Sequence, residues 1–444
     1  MIPIIRCDRE SPMKLKFIDI NIVRNAFWMI SEKMVSILGV IFITAYMARY
    51  IGPESFGKIT FATAIFAITQ TLALLGSDTV LFKRISRNPA SGTALMFSTN
   101  RLRQGCFVLF SAAILIYTGL REDFITFYFC AATFVASFFS LRDVFTIYHD
   151  ARLESRFNTL ANVSGLGSAL LVRYLIVYFD LHLYYLAIPI VMVYLIPYLI
   201  RHHIYHRRNP RFVAPGRVRR KYVRYLLASG LPLAVSNVSI AIYTRLAQLF
   251  LMWFVSAEAL GIYSVAITLA TAWMFVTDAV ITSFFAKIFA YQRDDAMRTA
   301  AKLNGLVLAI AAAIVAGIFL LGKPVIVLLY GEQYLAAYPA MGVLAVATLL
   351  SALGTLAYKY IVIFSGYGFL SKKMFLVFII NIPLSYCLIR QYGMMGAAYS
   401  TLLTELLSLT LLNYFFRRGT VLQMHLRSLN PLTYIRRPVS RING

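Results

Sequence analysis

Pro53-Glu54-Ser55-Phe56-Gly57 follows one long apolar segment, and Ala257-Glu258-Ala259-Leu260-Gly261 follows another, an offset of 204 residues from 53 to 257. In each copy the next apolar segment ends near an aspartate, Asp78 or Asp278, with Lys83 or Lys287 beyond it. A motif repeated at this distance between apolar runs implies two copies of one helical unit. Working outward from it, twelve apolar segments can be marked: 25–48, 59–82, 105–120, 124–148, 157–179 and 183–200, then 225–255, 262–285, 303–321, 338–364, 374–389 and 394–416. Most reach the ~20 residues that a spanning helix requires. Six segments fall in each copy, and because six is even the copies keep one orientation, related by an axis along the membrane normal.

Composition agrees with this reading. The chain has 444 residues, 60% hydrophobic and 14% charged, with a mean hydropathy of +0.72, which is the range of polytopic membrane proteins. The expected fold is all-α, a polytopic membrane protein of about 12 transmembrane helices in two parallel six-helix repeats around a central cavity. The expected organisation is an N-terminus (1–24), a first bundle (25–200), a basic linker (201–224), a second bundle (225–416) and a basic tail (417–444).

The 43 lysines and arginines give a net charge of +25, and their placement explains the excess. Thirty-three lie in the two termini and the even-numbered loops, whereas the odd-numbered loops hold only Arg49, Lys58, Arg121, Lys323 and Arg390. Basic residues accumulate on the cytoplasmic side of short loops, so both termini are expected there. Charge set by topology argues against nucleic-acid binding. The first 24 residues hold no apolar core, so no cleavable signal peptide is expected and the first span acts as an uncleaved anchor. Four cysteines show neither paired nor metal-ligand spacing, and no cofactor or metal is expected.

The remaining five cations, Lys33, Arg142, Arg173, Arg245 and Lys359, fall inside apolar segments, where each costs roughly 2.5 to 3.5 kcal/mol on insertion scales. Charges so placed ordinarily face a partner or a watery pathway, so a route for an anionic substrate is the default inference. Arg245 is the strongest candidate because both ends of its span are distant. Lys33, Arg24, Arg49, Arg173 and Lys359 complete the candidate substrate-binding set, with interfacial anchoring as the alternative for those near span ends. Five acidic residues, Glu32, Asp78, Asp143, Asp278 and Glu405, also lie in spans. They either balance the cations as ion pairs or carry a proton or sodium ion, and Glu405, Asp278, Glu32 and Asp78 are the coupling-ion candidates. Tyr184, Tyr185, Tyr330 and Tyr334 near one set of span ends are candidates for stacking on sugar rings, against the ordinary role of interfacial aromatics.

The stretch Thr44-Ala-Tyr-Met-Ala-Arg49-Tyr-Ile-Gly52-Pro53-Glu54-Ser-Phe-Gly57 resembles the first external turn of the polysaccharide-repeat flippases. These are the Wzx-like branch of the multidrug/oligosaccharidyl-lipid/polysaccharide exporter superfamily. Asn25, Leu75-Gly76-Ser-Asp78, Thr244-Arg245, Glu258-Ala-Leu-Gly261-Ile-Tyr263, Tyr330-Gly331-Glu332-Gln-Tyr334 and Tyr392-Gly393-Met-Met-Gly396-Ala-Ala398 agree in order and spacing. The resemblance implies a non-enzymatic flippase of the bacterial inner membrane. Its cargo would be an oligosaccharide repeat on undecaprenyl diphosphate, moved outward for O-antigen type polysaccharide. Besides that lipid-linked substrate and membrane lipids, a polysaccharide polymerase and a chain-length regulator are candidate partners. The family often carries an acidic residue where this chain has Thr244, so a partner for Arg245 must come from another helix. The rivals are a multidrug antiporter of the same superfamily, which calls for an acidic cavity, and a membrane polymerase or glycosyltransferase. The second needs catalytic carboxylates on a substantial loop, and external loops of about 3 to 16 residues are too short for one.

Overall fold

The structure is a computed structural model. It describes residues 20–208, 216–289, 293–364, 366–430 and 433; the side chains of 20–38, 40, 216–218, 283–296, 363, 367 and 418 lie outside the described residues. In chain order the helices are α1 (Ile20–Leu74), α2 (Ser77–Arg87), α3 (Pro89–Arg121), α4 (Phe124–Arg142), α5 (Phe145–Ala151), α6 (Ser155–Tyr178) and α7 (Ala187–Arg208), then α8 (Gly216–Phe254), α9 (Ala257–Thr271), α10 (Met274–Phe289), α11 (Arg293–Tyr330), α12 (Ala337–Ile363), α13 (Tyr367–Glu405) and α14 (Thr420–Leu429). The described residues contain no strand. The protein is an all-α, multi-pass membrane protein.

Ten helical stretches among the described residues are long and apolar enough to cross a membrane, the first being Ile41–Leu74 and the last Gly368–Arg417. Both are broken. Gly52 (φ 78°, ψ 168°), followed by Pro53, interrupts α1, and Gly393 (φ 55°, ψ −128°) interrupts α13. Positive φ is readily available only to glycine, and proline cannot continue the hydrogen-bond ladder. Each of these two stretches therefore comprises two arms, and ten stretches hold the twelve apolar arms read from the sequence.

The repeated motif lies where the two halves touch. A Cβ on Gly57 would run into the carbonyl oxygen of Ala257, and one on Gly261 into the carbonyl oxygen of Pro53. Each member of this reciprocal contact is the 204-residue counterpart of the other. Small residues let membrane helices approach backbone to backbone, where van der Waals contact drives association. At the same end of the bundle, Gln333 Nε2 donates to the Arg49 carbonyl at 2.7 Å and the Tyr334 hydroxyl to that of Ala48 at 3.0 Å, while Arg49 Nη1 reaches the Leu328 carbonyl at 3.4 Å. A turn of the second half thus caps the end of the first arm of α1.

Two boundaries differ from the sequence reading. α3 begins at Pro89, well before the apolar run 105–120: the Asn88 side chain accepts from Ser91 N at 3.0 Å and Pro89 occupies the first turn, a standard helix start. Helices α7 and α8 take in the whole of 201–224 except 209–215, which lies outside the described residues. Arg201 is consequently a helix residue of the first half. It is 5% exposed, and its Nε donates to Asp143 Oδ2 at 2.8 Å and its Nη1 to Asn162 Oδ1 at 2.7 Å.

The short α14 packs on α11, with Asn304 Nδ2 donating to Ser428 Oγ at 3.0 Å and the Tyr414 hydroxyl 3.1 Å from His425 Nδ1. Burial pushes the His425 imidazole down from 6.5 to about 4. An undocked α14 takes up a proton near pH 6.5, whereas the docked helix resists it until near 4, so docking is complete above 6.5 and weakens as pH falls through that window. Hydrogen exchange across 420–429, corrected for intrinsic rates, should be faster at pH 4.5 than at pH 7.5, and His425→Phe should flatten the difference.

Candidate functional site

α8 carries Arg245 and Gln248 one turn apart, and Arg245 Nη1 donates to Gln248 Oε1 at 3.2 Å. Together with Thr244 they line a cavity of about 290 Å³, whose other walls come from Phe56 and Thr60 of α1 and Ser264, Ile267, Thr268 and Thr271 of α9. Both halves of the molecule therefore contribute. Arg245 is exposed to this space, and no carboxylate lies within ion-pair distance of it among the described residues. The Thr60, Thr268 and Thr271 hydroxyls donate to the carbonyls of Phe56, Ser264 and Ile267 at 2.9, 2.7 and 2.7 Å. With their protons committed to the helix, these oxygens offer lone pairs to the cavity, while Arg245 offers charged donors. Such a lining suits a ligand with anionic oxygens at one place and donor hydroxyls at another.

Arg173 on α6 adjoins this region. Its Nη1 reaches Thr44 Oγ1 at 3.4 Å, and the Tyr194 hydroxyl of α7 lies within electrostatic reach of both Arg173 and Arg245. A second cavity, of about 160 Å³, lies within the second half. It is lined by Tyr243, Ser351, Asn381, Ser385, Thr401, Thr404 and Glu405, and it shares the wall residues Thr244, Ile267 and Thr271 with the first. Thr244 immediately precedes Arg245, so the two spaces are linked through α8.

The other sequence candidates lie elsewhere. Arg49 rests against the Gly331 turn at the end of the bundle. Lys359 Nζ donates to Thr282 Oγ1 at 2.9 Å, and it lines neither cavity. Asp278 is exposed on α10, and Asp78 is exposed at the start of α2 within electrostatic reach of Arg103. The side chains of Arg24, Glu32 and Lys33 lie outside the described residues. Tyr330 and Tyr334 are 1% and 0% exposed, so they are core residues unable to stack on a sugar. Tyr185 is half exposed, and Tyr184 packs edge-on against Tyr128.

Depth in an apolar run misjudged which charges are buried. Among the described residues the most enclosed cations are Arg103 (0% exposed), Lys373 (4%) and Arg201 (5%), all of which the segment boundaries assigned to loops. Among the described residues, the intramembrane acid Asp143 bonds Arg201 rather than one of the five intramembrane cations. The Asn88-Pro89 helix start was the available signal for Arg103, since it brings that residue inside the helix. The polar spacing of Asn381 and Ser385, then Ser400, Thr401 and Thr404 beside Glu405, was the available signal for the second cavity, because i, i+4 neighbours share a helix face.

The family described as polysaccharide biosynthesis protein matches residues 46–339. Among curated proteins, none matches the chain. Among solved structures, the chain is similar to the lipid II flippase MurJ in an inward closed conformation, at 12% identity and a TM-score of 0.63, covering 92% of this chain and 91% of that one. It is equally similar, at 15% identity and a TM-score of 0.63, to the inward-facing conformation of a multidrug resistance MATE family transporter of the MOP superfamily, covering 91% and 98%. The MATE multidrug transporter DinF-BH in complex with R6G follows at 12% identity and a TM-score of 0.60, covering 94% and 100%. These likenesses establish the fold alone, one shared by MurJ and the MATE structures.

Proposed function

Because this chain belongs to the polysaccharide biosynthesis protein family, we propose that it is a flippase for a lipid-linked oligosaccharide. It would carry a sugar repeat on undecaprenyl diphosphate from the cytoplasmic to the periplasmic leaflet of the bacterial inner membrane, for O-antigen type polysaccharide. The observation that carries this reading is Arg245: a guanidinium bonded, among the described residues, only to a neutral amide, and exposed to a hydroxyl-lined cavity between the two halves. Arg245, with Arg173 across Tyr194, would receive the diphosphate. The acceptor oxygens of Thr60, Thr268 and Thr271 would meet sugar hydroxyls. The prenyl tail would stay in the bilayer, since only the charged head faces a prohibitive desolvation barrier in hydrocarbon.

In this proposal the Gly52 end faces the periplasm and both termini the cytoplasm, and the halves rock about the cavity to open it to either side. An inside-negative potential favours outward movement of negative charge by about 2.3 kcal/mol per charge per 100 mV, so export needs no nucleotide. Lys33 and Arg24 would guide the head group inward from the cytoplasmic side. A polymerase and a chain-length regulator would take up the delivered repeat.

The MATE-like fold raises a second reading, a multidrug antiporter. A cationic drug would require carboxylates where the substrate sits, and the lining around Arg245 contains none among the described residues. The test is flipping of a labelled lipid-linked repeat in liposomes. Losing a charge-assisted hydrogen bond costs about 1.5 to 3 kcal/mol, so Arg245→Ala should slow flipping about 10- to 100-fold with little change in melting temperature. Arg245→Lys should recover part of the rate, because the point charge remains while the bidentate fork is lost. Full transport by a folded Ala variant would sink the proposal, and recovery of surface polysaccharide in a strain lacking its own flippase, given the matching sugar pathway, would extend it to cells.

A further inference from the structure

Glu405 stands at the junction of α13 with a π-helical segment, Leu406–Leu411. One carboxylate oxygen faces the Ser351 hydroxyl, and the other, Oε2, is buried with no hydrogen-bond partner. Three more buried oxygens are also without partners here, Asn381 Oδ1, Ser385 Oγ and Ser408 Oγ. Asn381 Nδ2 donates to Thr404 Oγ1 at 2.7 Å, which fixes its amide with the carbonyl oxygen unused. A carboxylate with amide and hydroxyl oxygens around a small cavity is the donor set of a hard monovalent or divalent cation. Taken alone it would mark a cation-coupling site.

Lys373 changes that conclusion. It is 4% exposed, and its ammonium donates to the Ser408 carbonyl at 3.0 Å and to Asn413 Oδ1 at 2.9 Å. A π-helical turn, with i to i+5 spacing, leaves carbonyls free for other donors, and the Ser408 carbonyl serves Lys373 in this way. Glu405 is the acidic group within electrostatic reach of Lys373, and Lys373 does not line the cavity. The ammonium therefore lies outside the cavity that the carboxylate lines, joined to the turn after Glu405 through the Ser408 carbonyl and not to the carboxylate itself. Among the described residues, the remaining titratable groups around Glu405 are the Tyr243 phenol of α8 and, across the cavity, the Tyr263 phenol of α9, which is 3.1 Å from Thr401 Oγ1. α12 contributes Ser351 and Thr348, and neither is charged. Arg245 follows Thr244 but faces the other cavity.

We propose that the Glu405 cavity is a cation pocket whose charge is supplied from within the protein by Lys373, so that wild-type protein holds water there and completes its cycle without an external monovalent cation. The ammonium offsets the carboxylate's charge from nearby without a direct ion pair, so a third charge would leave this buried region net positive, and the acceptor oxygens still without partners are left to water. The pocket wall shared through Thr244 then transmits a fixed charge arrangement to Arg245 rather than a variable one. This inference rests on the transport reading only for the word cycle. Its test measures the protein alone, so its failure is distinguishable from failure of the flippase proposal.

The test is the melting temperature of purified protein titrated with sodium chloride against choline chloride at constant ionic strength and pH 7.5. Wild type should melt at the same temperature in both. Lys373→Met should show a saturable upward shift of a few degrees in sodium, the size expected for a ligand near ~100 times its Kd, and Glu405→Gln in that background should abolish it. Lys373→Gln, which keeps donors for Ser408 and Asn413, should behave like Lys373→Met. A sodium-dependent shift in wild type would overturn the proposal, because an external ion would then occupy the pocket despite Lys373. So would a folded Lys373→Met insensitive to sodium, or failure of both Lys373 variants to fold in sodium as in choline, because sodium could not then take over from the ammonium.

Discussion

Gly57→Ala is expected to separate the two halves at the Gly52 end of the bundle. The obstacle to the new methyl group is the carbonyl oxygen of Ala257, a backbone atom that cannot rotate aside. Overpacking typically costs 1 to 3 kcal/mol, and here the halves can relieve it only by moving apart. Gly261→Ala should act alike, since its obstacle is the Pro53 carbonyl. The double variant should cost less than the two singles combined, because both open the same contact. The readout is a cysteine pair at Arg49 and Gln333, whose backbone and side chain are joined at 2.7 Å: crosslinking yield should fall in both glycine variants, together with the melting temperature. Gly317→Ala is the control, since a methyl group there meets nothing within 4 Å and alanine is the better helix former. Equal crosslinking in Gly57→Ala and Gly317→Ala would remove the glycine contact from the account of how the halves are held.

Arg201→Ala is expected to lower stability by about 3 to 5 kcal/mol, the usual cost of stranding one member of a buried ion pair. The Asp143 and Arg201 side chains are only 5% and 6% exposed, and Arg201 also satisfies Asn162. Asp143→Ala should cost a similar amount, whereas Arg201→Met combined with Asp143→Leu should recover most of the loss, since replacing both charges leaves neither uncompensated. Unfolding of the purified variants decides the matter, and a stable Arg201→Ala protein would show that Asp143 finds another partner. Arg245→Ala should behave oppositely. Its Gln248 partner is neutral, so transport should suffer and stability should not.

Elements that depend on local chemistry were legible in the sequence. Gly52-Pro53 had to break a helix, the two Glu-x-x-Gly copies had to occupy equivalent turns, and the apolar arms had to be helices of membrane length. Which side chain meets which was legible only where it followed from the repeat. Asp143 and Arg201 lie 58 positions apart with no pattern joining them. Their pairing depends on how α7 packs beside α4. Charge burial failed for a related reason: an apolar run reports depth along a helix, whereas Lys373 and Arg103 are enclosed by neighbours packed around it. Arg245, deep in its run, faces an open cavity. The second cavity was half legible, since Glu405 stood out as a charge while Asn381 and Lys373 gave no sign that they belonged with it.

The reciprocal glycine contact also bears on how such a chain could arise. In a two-fold dimer of identical subunits, residue i of one meets residue j of the other, and j meets i in return. Gly57 against Ala257 and Gly261 against Pro53 reproduce that arrangement inside one polypeptide. A lone six-helix subunit bearing this motif would thus possess a self-complementary face and could associate side by side with its twin. Joining two genes through the connection between α7 and α8 would turn that concentration-dependent association into an intramolecular one. Once joined, the copies are free to diverge everywhere except where they still touch, which is how one half can keep Arg245 while the other holds Ile41 at the matching position.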